Sequence, residues 1–501
     1  MNAPLRRVGV VVLVLFALLF ANLNFRQVYK ADDYRNDDHN GRLQVTEYQR
    51  QRGSIINAQG TAVAKSDATT DSLKYLRVYP FKEQYAHVVG YKPVNLAPTD
   101  VEKLQNEFLA GNADSQFVDR FTAMFTGKEP LGGNVLLTLS QAGQATAWDQ
   151  LTKNKNGAQK GAIVMLDPAT GGVLASVSMP SYDPNLLSGH DTNAATAAYN
   201  KLDKDTNKPL ANRALGETQP PGSTFKVVTA AAAMANLGLT GASEITGGAN
   251  YKTAQSDQVF KNATGVVCPD QITLKQALTV SCNTAFMRLG VEQLGPDKLK
   301  QMAQAFGFEQ APKLIGDEDH NYIGCVASHT GTMSGPDGKV DPPALAQSAI
   351  GQRDVRMTPL QGALIAATVA NGGKQMQPYL VDSLQTADLA QVDKTSPKVA
   401  RTPINGQVAG DLRDMMVSVV ENGTAKRAAI QGITVGGKTG TAENAEDQAD
   451  HGWFIGFAMR GNTPLAAVAV FLENAGKGGS AEAARIGGQV MKAYIDEKGS
   501  K

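Results

Sequence analysis

Residues 219–239, QPPGSTFKVVTAAAAMANLGL, carry the reading on which the fold turns. Pro220-Pro221-Gly222 ends whatever precedes it, because proline lacks an N–H and glycine is a poor element interior. The run that follows is rich in Ala and Val and has the length of a buried helix. Ser223 and Lys226 stand at i and i+3 where that helix opens, so the spacing predicts a hydroxyl and an amine on one face. A serine hydroxyl is a weak nucleophile until a base takes its proton. Lys226 can act as that base only when uncharged, which costs roughly 4–5 kcal/mol at pH 7 from an ordinary pKa of about 10.4. Burial and a second cation nearby can supply such a shift. The helix start adds backbone N–H groups and a positive dipole end.

A lone Ser-x-x-Lys is also what an ordinary capped helical turn looks like. Two further strings change its weight. Ser281-Cys282-Asn283 lies in ALTVSCNTAF, and Lys438-Thr439-Gly440 lies in GGKTGTAE. In the first, a second hydroxyl can relay a proton to a leaving amine and an amide can orient substrate. In the second, a lysine supplies charge, a threonine hydroxyl can bind a carboxylate, and a glycine lets a substrate backbone come close. The three strings occur in the chain order associated with penicillin-recognising acyltransferases.

Outward from these strings, the chain has 501 residues, with 19% charged and 42% hydrophobic, and can bury large cores. Its net charge of +1 and the lack of a basic run interleaved with aromatics exclude a nucleic-acid partner. Arg6 and Arg7 precede an apolar run from Val8 that reaches Phe25 with only Asn22 and Asn24 interrupting it. This predicts an uncleaved transmembrane signal-anchor over 8–25, a cytoplasmic tail over 1–7 and an exported remainder. A cleaved signal peptide is the competing reading, but no small-x-small cleavage site follows Ala21. Residues 26–155 form a mixed, polar region, with a stalk-like stretch over Val28 to Gln51. Strand-like runs follow at Leu76 to Tyr79, His87 to Tyr91 and Val135 to Leu139, then a helix over Ser140 to Leu151. A second domain, 156–501, opens with a hairpin, Ala162 to Leu166 and Val173 to Val177, joined by DPATGG. It closes with strands at Trp453 to Ala458 and Leu465 to Leu472 and a helix over Ala481 to Ile495. Of the three cysteines, Cys268 and Cys325 lie in polar, loop-like sequence and are expected to pair. Cys282 then stands as a packed small hydrophobe.

The chain resembles the class B penicillin-binding proteins, most closely those of actinobacteria. The strings that carry the likeness are GAIVMLDPATGGVLASVSMPSYDPN, NRALGETQPPGSTFK, SCNTAF, IGQRDVRMTPLQGALIAATVANGG and KTGTAE followed by WFIGF. In the N-terminal region RGSIINAQG resembles the family's RGxIxDRNG, with Asn57-Ala58-Gln59 in place of Asp-Arg-Asn. The resemblance implies an α+β fold: an anchor helix, an elongated pedestal of dimerisation-domain type, and a transpeptidase domain. In the last, an antiparallel sheet of about five strands is flanked by helices. It also implies residue roles. Ser223 attacks the penultimate D-Ala carbonyl of a stem peptide, and Lys226 is its base. Ser281 relays a proton to the departing D-Ala, and Lys438 supports the proton network. Asn283, Thr439, Gly440 and Thr441 contact substrate, and the backbone N–H groups of Ser223 and Thr441 form an oxyanion hole. β-Lactams acylate the same serine. No metal or cofactor is implied. Implied partners are a polytopic glycosyltransferase and other proteins of the division or elongation machinery.

Other readings are weaker. GITVGGKT, residues 432–439, matches a phosphate-binding loop literally, but Gly440 at once opposes the helix that such a loop must open. No HExxH, Cys/His ligand set or GxSxG occurs. Within the same fold, a D,D-carboxypeptidase or β-lactamase-type hydrolase, or a non-catalytic β-lactam-binding scaffold, remain the alternatives. No EDxxFxxHxG-like string marks a glycosyltransferase.

Overall fold

The structure, a computed structural model, describes residues 3–30, 34, 48–116, 131–254, 256–335, 337–443 and 448–499. Most of the stalk-like stretch, Val28 to Gln51, lies outside them. The N-terminal helix α1 runs Ala3–Asn24 and continues through a wider turn to Tyr29. Its Arg6–Tyr29 stretch, 24 residues with every side chain exposed, is long and apolar enough to cross a membrane.

Two sheets organise the rest among the described residues. The first holds β1 (Ile55–Ile56), β2 (Ala62–Ala68), β3 (Tyr75–Val78) and β4 (Asn134–Leu137). Helix α2, Gln141–Thr152, follows, with Ser140 accepting from the Gly143 N–H as its cap. The second sheet begins with the expected hairpin, β5 (Gly161–Leu166) and β6 (Val173–Met179). Three strands from the far end of the chain complete it. Between them lie α3 (Lys226–Leu237), a small hairpin β7 (Asn250–Lys252) and β8 (Val259–Lys261), α4 (Leu274–Val280) and α5 (Asn283–Arg288). Then come α6 (Pro359–Ala370), β9 (Val381–Gln385), β10 (Gln391–Lys394) and α7 (Gly406–Glu421). The last elements are β11 (Thr434–Ala442), β12 (His451–Arg460), β13 (Thr463–Leu472) and α8 (Gly479–Gly499).

The second sheet is antiparallel, in the order β11-β12-β13-β5-β6. Strands β5, β12 and β13 read as near-continuous apolar runs because both faces are covered. In β12 every residue from His451 to Met459 is buried. A Cβ on Gly362 of α6 would touch Ile455 and Ala469, whereas one on Gly487 of α8 would touch Phe454 and Val468. Neighbouring residues of a strand face opposite ways, so α6 lies on one face and α8 on the other. Helix α6 is apolar all round and every residue of it is buried, as a central helix must be.

The first sheet has the order β10-β9-β4-β1-β2-β3. Strands β9 and β10 come from residues 381–394, so the chain returns across the boundary that the sequence suggested near residue 155. His87 to Tyr91, expected as a strand, is instead the short helix Ala86–Val89, ended by Gly90 at φ +75°. All four of its residues are buried, and a short run buried on every side gives no period to separate helix from strand. Under this sheet Glu102 is fully buried and takes Arg77 Nε at 2.6 Å and Arg52 Nε at 2.8 Å. Burial alone would raise its pKa, but the two guanidinium groups hold the carboxyl below its ordinary value. In the RGSIINAQG string Asn57 closes a turn by accepting from the Gln59 and Thr61 N–H groups. Gln59 Nε2 donates to Glu497 of α8, whose carboxylate also accepts from the Ala142 N–H at the start of α2. The residues that depart from the family string thus tie the first sheet to the last helix.

Glu102→Ala leaves two buried guanidinium groups without their carboxylate. We expect a stability loss of about 3–5 kcal/mol, read as a lowered thermal midpoint by calorimetry.

Candidate active site

Ser223 lies in a tight turn, Gly222–Phe225, that runs directly into α3. The turn is pressed against β11. Gly222 has φ +52°, and a Cβ there would meet the Thr441 carbonyl oxygen at 2.3 Å. Its N–H donates to the Gly351 carbonyl at 2.9 Å, which fixes the turn from behind. A Cβ on Gly440 would meet the Pro221 oxygen at 2.6 Å and the Thr224 methyl group at 2.9 Å. The missing side chain of Gly440 is therefore used for packing turn against strand. This differs from the expectation that it leaves room for a substrate backbone.

The Ser281-Cys282-Asn283 string joins α4 to α5. Ser281 ends α4 in the left-handed conformation, φ 62°, uncommon for a residue with a Cβ. That turn aims its carbonyl and its hydroxyl at the same lysine. Lys226 Nζ donates to Ser281 O at 2.9 Å, to Ser281 Oγ at 3.2 Å and to Asn283 Oδ1 at 2.6 Å. Lys438 Nζ donates to Ser281 Oγ at 2.9 Å and to Thr439 O at 2.9 Å. One hydroxyl thus bridges two amines that reach it from α3 and β11. The sequence reading put Lys226 beside Ser223; here its amine bonds to the Ser281–Asn283 segment, and Ser223 Oγ forms no bond to it. Such contacts commonly tighten only when substrate arrives.

Both lysines are fully buried. Burial pushes Lys226 well below its ordinary pKa, and the charge of Lys438 pushes it further. Burial brings Lys438 down to about 7. Two buried amines that share a partner hold fewer protons together than apart, so their titration belongs to the pair. The unfolded chain binds these protons more tightly than the folded one, so stability rises with pH from about 7 towards 10. The folded site is kept at some expense in stability at neutral pH.

Ser223, Ser281, Asn283, Thr439 and Thr441 line one cleft of about 640 Å³, with Lys226 and Lys438 beneath it. Thr439 Oγ1 shares a short hydrogen bond with Thr424 Oγ1. Gln352 Nε2 donates to the Thr441 carbonyl at 3.3 Å. That carbonyl therefore faces away from β12, and in an antiparallel strand the N–H of the same residue points to the same side. β11 is the edge strand, so the Thr441 N–H faces the cleft. The literal phosphate-loop match, residues 432–439, runs from a turn into β11, with no helix after Lys438. Among the described residues no cluster of His, Cys, Asp or Glu suited to a metal occurs.

The expected pairing of Cys268 with Cys325 is corrected. The disulfide joins Cys268 to Cys282, whose Cα atoms are 5.8 Å apart, and Cys325 is the buried free thiol. The chain folds the segment after β8 back onto the start of α5, which loop-like composition could not reveal. Burial pushes the Cys325 thiol up to about 12, which makes it unreactive. Sequence reasoning also missed Thr424, Gln352 and Asn262. None of them carries a local signal, since each reaches the site only through the tertiary fold.

The model of the penicillin binding protein transpeptidase domain matches residues 161–492, and that of the penicillin binding protein A dimerisation domain matches residues 52–135. The peptidoglycan D,D-transpeptidase PbpA of Mycolicibacterium smegmatis is 42% identical, over 99% of this chain and 100% of its own length. PbpA of Mycobacterium tuberculosis is 40% identical, over 99% of each chain. The solved ceftriaxone acyl-enzyme complex of penicillin-binding protein A from M. tuberculosis superposes with a TM-score of 0.83 at 40% identity, covering 90% of this chain and 100% of that one.

Two outcomes test this geometry. Gly222→Ala places a Cβ against the Thr441 carbonyl, and acylation by a fluorescent penicillin should fall on the order of a hundredfold, measured by stopped-flow. Lys438→Met removes the cation that depresses Lys226. Lys226 then takes up its proton at higher pH, so the acid limb of the acylation rate should move upward in pH as its plateau falls.

Proposed function

Because this chain belongs to the penicillin-binding protein transpeptidase family, we propose that it cross-links peptidoglycan as a D,D-transpeptidase through an acyl-enzyme on Ser223. The observation that carries this reading is the Ser281 hydroxyl held between two buried amines next to a serine at the mouth of a helix.

The steps follow from that arrangement. Uncharged Lys226 takes the Ser223 proton as Oγ attacks the penultimate D-Ala carbonyl of a donor stem peptide. The new oxyanion is held by the N–H groups of Ser223 and Thr441, each such donor being worth about 3–4 kcal/mol in the transition state. Ser281 passes a proton to the nitrogen of the departing D-Ala, and Lys438 replenishes it from the other side. The C–N bond breaks, D-Ala leaves, and the donor stays as an ester on Ser223. Thr439 and Thr441 hold the terminal carboxylate, aided by the charge of Lys438, and Asn283 orients the peptide. The amine of an acceptor stem peptide then attacks the ester, gives up its proton through the same network, and frees Ser223. A β-lactam presents a strained amide in the place of the D-Ala-D-Ala bond and acylates the same oxygen.

The apolar helix Arg6–Tyr29 anchors the chain in the cell membrane, with Arg6 and Arg7 on the cytoplasmic side and the catalytic domain outside. Residues 26–155 serve as a pedestal that lifts the domain 156–501 towards its substrate. A separate polytopic glycosyltransferase, within the division or elongation machinery, supplies the glycan strands that this chain joins.

Incubation of the chain with a fluorescent penicillin should give a stable adduct whose mass maps to the peptide carrying Ser223, and Ser223→Ala should give none. An unlabelled wild type would contradict the acyl-enzyme. Rapid spontaneous loss of label would point to a hydrolase instead.

A further inference from the structure

Strand β8 and the segment after it form one wall of the catalytic cleft, from Gln258 to Val266. This wall is fastened to the Ser281–Asn283 segment at two independent points. One is the Cys268–Cys282 disulfide, which takes hold of the residue between Ser281 and Asn283. The other is Asn262. Its Oδ1 accepts from the Asn283 N–H at 2.7 Å and the Thr284 N–H at 3.1 Å, and its Nδ2 donates to Gly248 O at 3.0 Å. These two N–H groups are among the orphan donors at the start of α5, and a side chain from another segment satisfies them. The Thr284 hydroxyl adds a third tie, donating to Gly248 O at 2.7 Å.

We propose that the Asn262–Cys268 segment is a positioning brace for the proton relay. It holds Ser281 in its left-handed turn, so that the Ser281 hydroxyl stays within reach of both lysines and the Asn283 amide stays on Lys226. This inference rests on the acyl-transfer reading above. The need for a brace follows from the geometry. Ser281 holds an uncommon backbone conformation at the end of α4, a helix of only 7 residues, too short to fix its junction with α5 by itself. A relay that depends on bonds of 2.6–3.2 Å loses its function with a shift of about 1 Å. Cys282 is thus a tether point and not a space-filling residue, and Asn262 is a positioning residue that acts through Asn283.

The test uses the full-length chain in detergent, with saturation kinetics of acylation by a fluorescent penicillin. These separate the limiting acylation rate from the dissociation constant of the first complex. Cys268→Ala leaves the Ser-Cys-Asn string intact and cuts only the tether. Asn262→Ala leaves the disulfide intact and removes the acceptor, while Asn262→Asp restores an accepting oxygen. In Cys268→Ala and Asn262→Ala we expect the limiting rate to fall on the order of tenfold to a hundredfold, with little change in the dissociation constant. Asn262→Asp should recover most of the rate. Cys325→Ala, which touches neither tie, should match the wild type. Unchanged limiting rates in both variants, or a loss confined to binding, would overturn the proposal. If Cys268→Ala does not fold, the Asn262 pair decides: a rate lost in Ala and not recovered in Asp refutes the brace. A wild type that takes no label would refute the acyl-transfer reading instead.

Discussion

Two lysine amines buried in one site, neither in an ion pair with a carboxylate among the described residues, meet at the hydroxyl of Ser281. A buried ammonium is stable only with a counter-charge, so burial drives protons off the pair. What would be a defect in an ordinary core is, on the proposed reading, the source of a base. Most of the neighbouring architecture follows from the need to bring the two amines together from distant parts of the chain. Lys226 arrives on α3 and Lys438 on the edge strand β11, and the hydroxyl between them sits at a helix junction.

Contact that close demands close backbones. Gly222 and Gly440 let the Ser223 turn lie against β11 with no side chain between, and Gly351 holds the turn from the other side. The sheet that carries β11 is in turn fixed by α6 on one face and α8 on the other. Strain at the site, in the positive φ of Ser281, is borne by this rigid frame. Glu102 and its two arginines, and Glu497 of α8 bonded to the start of α2, do the corresponding work in the N-terminal sheet and its join to α8.

Much of this was legible in the sequence because it is local. The Pro-Pro-Gly stop before an apolar run marked the turn and helix that carry Ser223 and Lys226. The turn-rich DPATGG marked the β5–β6 hairpin, and the apolar runs near the C-terminus marked β12 and β13. The order of the three strings then brought the five cleft-lining residues together. What the sequence did not disclose is non-local. Residues 381–394 join a sheet whose other strands precede residue 138. Cys268 meets Cys282 rather than Cys325 because a hairpin folds back on the start of α5. The helix Ala86–Val89 passed for a strand because a run buried on all sides shows no alternation. Asn262 and Gln352 act on the site through backbone groups, which leave no signature in a string of side chains.

Lys226, depressed by burial and by Lys438, is proposed to rest uncharged at neutral pH. Its most direct measurement is the ¹³Cε chemical shift of lysine-labelled protein followed against pH, with Lys226→Arg and Lys438→Arg used to assign the two resonances. Lys226 is expected to keep the shift of a neutral amine at pH 7, and the second resonance to titrate near neutrality. A Lys226 resonance that stays in the charged form at pH 7 and titrates near 10 would contradict it.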